Sequence, residues 1–148
     1  MKQIALPLLF VALTTATANA AEVTWSQQIK PLFDARCGAC HGQEAPEHKL
    51  FKQGKDAWIA KGVGPRMDSY AHLIYFTGWP DTGAIMRRLD DGTGKDDKKP
   101  GNMYQYLGDS DAERQQNLAL FKNWVGGWTL KRFDALTKEE LAAIKVPY

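Results

Sequence analysis

Cys37-Gly38-Ala39-Cys40-His41 is the stretch that most restricts what this chain can fold around. Its cysteines are the only 2 in the sequence, and the histidine directly follows the second. Thiols at this spacing share one turn of chain, where each can add to a vinyl group of a porphyrin. The adjacent imidazole then comes under the iron as the proximal ligand. Gly38 and Ala39 are small enough to let the backbone lie close to the porphyrin edge. The run occurs once, so it predicts one covalently bound haem c, held through Cys37 and Cys40 with His41 on the iron.

Other chemistries of paired cysteines fit less well. In an oxidising compartment such a pair suggests a disulfide, and the histidine beside it changes that reading. A thioredoxin-like redox pair needs a preceding strand in a βαβ unit, whereas an amphipathic helical stretch leads into Cys37. A zinc site needs further ligands at metal spacing, which His48 and His72 do not form with the cysteines.

The N-terminus reads as a targeting segment. Lys2 supplies the positive region, Ile4 to Ala16 the apolar one, and Ala18-Asn19-Ala20 the small-x-small pattern before a cleavage. Residues 1–20 are therefore expected to be a signal peptide, cut before Ala21, which predicts a periplasmic protein. A retained anchor is disfavoured, because a span needs about 20 apolar residues and Asn19 and Glu22 close this stretch early. Residues 21–148 contain no later hydrophobic run and are read as a single soluble domain, with a core over about 24–126 and an extension over 127–148. Lysine and arginine number 19 against 17 aspartates and glutamates, interleaved along the chain, which excludes the clustered basic face that nucleic-acid binding requires.

The chain is otherwise helical in pattern, predicting an all-α fold. Thr24 with Gln27 forms a capping-box pattern, and Ile29, Leu32 and Phe33 give an apolar stripe leading to Cys37. Pro31 inside it implies a kink or a later helix start. Thr82 to Leu89 reads as a short helix with Ile85 and Leu89 on one face. Ser110 and Glu113 form a second box, followed by Leu118, Phe121, Trp124 and Val125 at helical spacing up to Gly126-Gly127. Thr137 and Glu140 form a third, with a short helix expected through about Ile144.

Taken in this order, the elements resemble the class I cytochrome c family: a helix into C-x-x-C-H, a Gly-Pro, a later methionine in a loop, and a C-terminal helix crossing the first. The resemblance covers Trp25 to Gly126 and implies a class I cytochrome c-like helical domain around one haem, with a C-terminal extension. It implies that the Pro65 carbonyl, in Gly64-Pro65, accepts the hydrogen bond of the proximal imidazole and raises its basicity. The longer spacing from His41 to Pro65 implies an extra loop over Gln43 to Lys61. It also implies that Trp124 and Phe121 meet Ile29 or Phe33.

For the distal ligand the resemblance points to Met103, in the turn-rich loop Pro100-Gly101-Asn102-Met103-Tyr104 before the last long helix. Tyr104 stands where the family often has proline, so Met86 and a second histidine, His72 or His48, remain open. Met67 and Met86 read as packing residues. Trp79 or a tyrosine is a candidate donor to a haem propionate, and Arg66 a candidate ion-pair partner for one; Tyr70, Tyr75, Phe76 and Tyr104 are candidates to line the pocket.

A histidine–methionine haem has no open position, which implies a one-electron carrier rather than an enzyme, working as a monomer with transient redox partner proteins. Lys95, Lys98 and Lys99, in the polar loop Gly92 to Gly101, are candidates to steer an acidic partner. Two alternatives stay open: a ligand-binding or catalytic haem protein with an open distal site, and a cytochrome subunit of a larger oxidoreductase that uses Trp128 to Tyr148 as a docking element.

Overall fold

The computed structural model describes residues 21–148; the signal peptide read over residues 1–20 lies outside the described residues. The first helix begins where its sequence signal stands. Thr24 is extended, and its hydroxyl accepts from the Gln27 N–H at 3.3 Å. The reciprocal arm comes from Gln28, whose side-chain oxygen accepts the Thr24 N–H at 2.8 Å. Pro31 is accommodated by a wide π turn over Trp25–Ile29, in which the Ile29 N–H reaches back to the Thr24 carbonyl. Helix α1 (Lys30–Arg36) then starts with Pro31 in its first turn, where a missing N–H costs nothing. A single further turn, α2 (Gly38–His41), presents the cysteine-histidine run.

Two short helices, α3 (His48–Gln53) and α4 (Lys55–Ala60), occupy the segment expected as a loop. Neither contains a buried residue, so no apolar period in the sequence announces them. Helix α5 (Tyr70–Tyr75) is capped by the Ser69 hydroxyl, and α6 (Ala84–Leu89) buries Ile85, Met86 and Leu89. After a 3₁₀ turn over Tyr104–Leu107, α7 (Asp111–Val125) is the longest described helix, and α8 (Lys138–Ala142) ends two residues before the expected Ile144. Among the described residues there is no strand, only an isolated bridge between Gly126 and Ile144.

The core forms where α7 crosses the N-terminal segment. Leu118, Phe121, Trp124 and Val125 are each at most 1% exposed and pack with Ile29 and Phe33 in one cluster. The aromatic contact that joins the helices is Trp124 with Trp25, ring centres 6.2 Å apart, and Trp25 in turn meets Phe33 at 6.4 Å. Trp25 thus links Trp124 to Phe33 within this cluster. Arg36, at the end of α1, pairs with Asp109 at 3.1 Å and with Glu113, tying that end to the start of α7. The Ser110 hydroxyl caps α7 by accepting the Glu113 N–H at 3.2 Å. Ser110→Ala is expected to cost about 1 kcal/mol in denaturant unfolding of the haem-loaded protein, with an unchanged visible spectrum. Gly126, at φ 74°, turns the chain out of α7.

The extension folds back onto this core. Docking runs through the last residues and Trp128, while Phe133 is 44% exposed. The Pro147 carbonyl accepts both the Trp25 N–H at 2.9 Å and the Trp124 indole N–H at 2.8 Å. The Val146 carbonyl accepts the Tyr70 hydroxyl at 2.7 Å, and the Tyr148 carbonyl accepts the Ser26 N–H at 2.9 Å. Trp128 packs against the cluster, beneath the Lys122 ammonium.

Candidate functional site

The cysteine-histidine turn is presented by local hydrogen bonds. The Cys37 N–H donates to the Phe33 carbonyl at 2.7 Å, continuing α1, and the His41 N–H donates to the Cys37 carbonyl at 3.0 Å. Both cysteines are free thiols. Burial, and to a lesser degree the neighbouring Cys40, pushes the Cys37 thiol up to about 11, which leaves it uncharged at neutral pH.

The His41 ring is oriented from the far side of the turn. Its Nδ1 lies 2.8 Å from the Pro65 carbonyl oxygen, which can only accept, so Nδ1 carries the proton. Burial pushes the imidazole pKa down, and the Pro65 bond only partly opposes this. A neutral ring protonated at Nδ1 keeps the lone pair of Nε2 free for a metal. Gly64 makes room for that ring: a Cβ there would fall 2.0 Å from His41 Cε1. Backbone bonds hold this segment against the turn, from Gly64 N–H to the Cys40 carbonyl and from Met67 N–H to the His41 carbonyl, both at 2.9 Å. Two free thiols, a free Nε2 and a glycine cradle behind the ring fit covalent haem attachment.

The methionines separate by environment. Met67 is 9% exposed, with its backbone bonded to His41 on the proximal side. Met86 is 0% exposed, and its sulfur accepts the Thr129 N–H at 3.1 Å. Met103 is half-buried and precedes the 3₁₀ turn. Its loop is pinned to the end of α6, by Met103 N–H to Arg88 carbonyl at 3.0 Å and Gly101 N–H to Asp90 carbonyl at 2.7 Å.

The two other histidines have partners of their own. His72 sits between carboxylates, with Nε2 at 3.3 Å from Glu47 and Nδ1 at 3.2 Å from Asp68. His48 Nδ1 is 2.9 Å from the Tyr75 hydroxyl. Arg66, read as a propionate partner, pairs with Asp68 at 2.7 Å and Glu47 at 3.3 Å. Trp79, read as a propionate donor, is 68% exposed on the surface. Tyr70 is turned to the tail carbonyl of Val146, and the Tyr104 hydroxyl accepts from Gln115 at 2.8 Å. Glu47 and Asp68, which organise the segment beside Pro65, were not singled out by the sequence, because isolated acids carry no motif.

The profile of the PccH cytochrome c family matches residues 24–148. The solved structure of monohaem cytochrome PccH from Geobacter sulfurreducens is similar, with 60% identity and a TM-score of 0.82 over 86% of this chain and 100% of that one. No curated protein matches. With α1 leading into the haem turn, the Gly64-Pro65 segment behind His41 and α7 across the first helix, the chain belongs to the PccH cytochrome c family, helical proteins that hold one covalent haem c and carry electrons rather than act as enzymes.

Proposed function

We propose that this protein is a periplasmic one-electron carrier, exported by residues 1–20 and working as a monomeric domain over residues 21–148 with transient redox partner proteins. Cys37 and Cys40 form the thioethers, His41 is the proximal ligand, and Met103 is the distal one. When bound, haem supplies the ferric/ferrous couple that the side chains themselves lack. The polypeptide keeps both ligands in place in either oxidation state and limits access of other ligands to the metal.

The observation that carries this reading is the bond from His41 Nδ1 to the Pro65 carbonyl, which presents Nε2 as a metal ligand and fixes the ring plane. Support for Met103 comes from its neighbours. The Met86 sulfur already accepts a hydrogen bond, Met67 stands on the His41 side, and both ring nitrogens of His72 face carboxylates. The extension spends its last carbonyls on Trp25, Tyr70 and Trp124, which speaks against a role as a free docking element of a larger complex.

Voltammetry and visible spectroscopy test the reading together. The expected result is a reversible one-electron couple and a ferrous spectrum unchanged under carbon monoxide at neutral pH. Ready binding of carbon monoxide by the wild type would sink it in favour of an open distal site.

A further inference from the structure

The α3–α4 segment is an unusual piece of folded surface. Two adjacent helices bury no residue, yet they carry Leu50 at 50% and Ile59 at 55% exposure. Short helices draw most of their stability from a packed face, and these present apolar side chains outward instead. The same two helices carry Lys49, Lys52 and Lys55, all exposed, and directly after them comes Lys61, whose ammonium lies over the Trp58 ring at 5.1 Å. Among the described residues, none of these four lysines has a carboxylate at ion-pair distance, whereas Glu47 is taken up by Arg66 and His72. Glu44 and Asp56 are the remaining acids of the segment, so it presents excess positive charge.

The polar loop expected to meet partners is built differently. Lys95 pairs with Asp97 at 3.5 Å and donates to the Lys99 carbonyl at 2.7 Å, and Lys98 donates to the Thr93 carbonyl at 3.0 Å. Two of its three lysines are thus folded back onto the loop itself. The α3–α4 segment, in contrast, leaves its ammonium groups without carboxylate partners among the described residues, and it is rooted at the cysteine turn. The chain departs from that turn at Gly42 and returns through the bonds from Gly64 N–H to Cys40 and from Arg66 N–H to Pro46, at 2.9 Å and 2.8 Å. A protein seated on these helices stands next to the point of covalent haem attachment.

We propose that α3 and α4 form the docking surface for an acidic redox protein, with Leu50 and Ile59 as the apolar centre and Lys49, Lys52, Lys55 and Lys61 as the charged rim. The proposal rests on the electron-carrier reading and is independent of which methionine or histidine is the distal ligand. Charge on the rim steers encounter and sets salt dependence, and the dry centre holds the complex long enough for one electron to pass.

The test uses the haem-loaded protein and flavodoxin hydroquinone as an acidic one-electron donor, followed by stopped-flow absorbance. Each turnover oxidises the flavin to its semiquinone and reduces ferric haem to ferrous. Wild type is expected to react fast at low ionic strength and progressively more slowly as salt rises. A K49E/K52E/K55E variant is expected to lose about tenfold or more at low salt, and to converge with wild type at about 1 M, where the screening length is ~3 Å. K95E/K98E/K99E is expected to stay within about twofold of wild type. L50S/I59S is expected to lose about fivefold at every ionic strength, with an unchanged midpoint potential and spectrum.

A rate in K49E/K52E/K55E equal to wild type at low salt would overturn the proposal, as would a larger loss in the loop variant. A shifted potential or new carbon monoxide binding in L50S/I59S would also overturn it, because those side chains would then be cover for the haem. Failure of the electron-carrier reading shows separately, as an irreversible couple in the wild type before any lysine is changed.

Discussion

Met103→Ala is expected to abolish the absorption band that arises from charge transfer between methionine sulfur and ferric iron, and to lower the reduction potential by on the order of 0.1 V. Axial ligands set haem potentials over about 0.8 V, and a thioether favours the ferrous state, so its loss moves the couple downward. The ferrous variant should also bind carbon monoxide, which the wild type is expected not to do. The informative control is Met86→Leu. Its sulfur is fully enclosed and accepts the Thr129 N–H, so this change is expected to cost stability while leaving band and potential in place. If Met86→Leu removed the band and Met103→Ala kept it, the distal role would pass to α6.

Gly64→Ala is expected to be the most damaging single-methyl change near the site. The added Cβ would stand 2.0 Å from His41 Cε1, 2.5 Å from Nδ1 and 2.8 Å from Nε2, so the ring as a whole must move. It has little freedom to do so, held by the cysteine turn on one side and the Pro65 carbonyl on the other. Overpacking of this kind costs about 1–3 kcal/mol, and the distorted proximal bond should add a visible change in the spectrum. Denaturant unfolding of the haem-loaded variant measures the first and absorbance the second. Gly94→Ala, where a Cβ meets nothing within 4 Å, is expected to stay within about 0.5 kcal/mol of wild type.

These features differ in how plainly the sequence announces them. The cysteine-histidine turn, the Gly-Pro behind it and the start and stop of α7 are local signals, a few residues each, and the chain folds as they indicate. Pro31 pointed to a disturbance in the first helix, and the π turn before it is the form that disturbance takes. The α3 and α4 helices were read as loop because the helical apolar period reports burial, and nothing in them is buried. The tail's attachment was illegible for another reason. Its decisive groups are the carbonyls of Val146, Pro147 and Tyr148, which every residue carries, so side-chain identity holds no trace of them. Arg66 and Trp79 were read from side-chain chemistry, which carries no record of neighbours elsewhere in the fold. Both have chemistry suited to a propionate; in the fold Arg66 pairs with carboxylates two and nineteen positions away, and Trp79 is exposed.

The carbonyls of the last residues also set an order of events. Trp25 belongs to the first described turn, and its backbone N–H finds its acceptor only at Pro147. Closing a loop that spans nearly the whole domain is slow relative to forming α1 or α7, and its entropic cost falls due before the buried tryptophans are satisfied. This latch is therefore expected to close after α1 and α7 have formed.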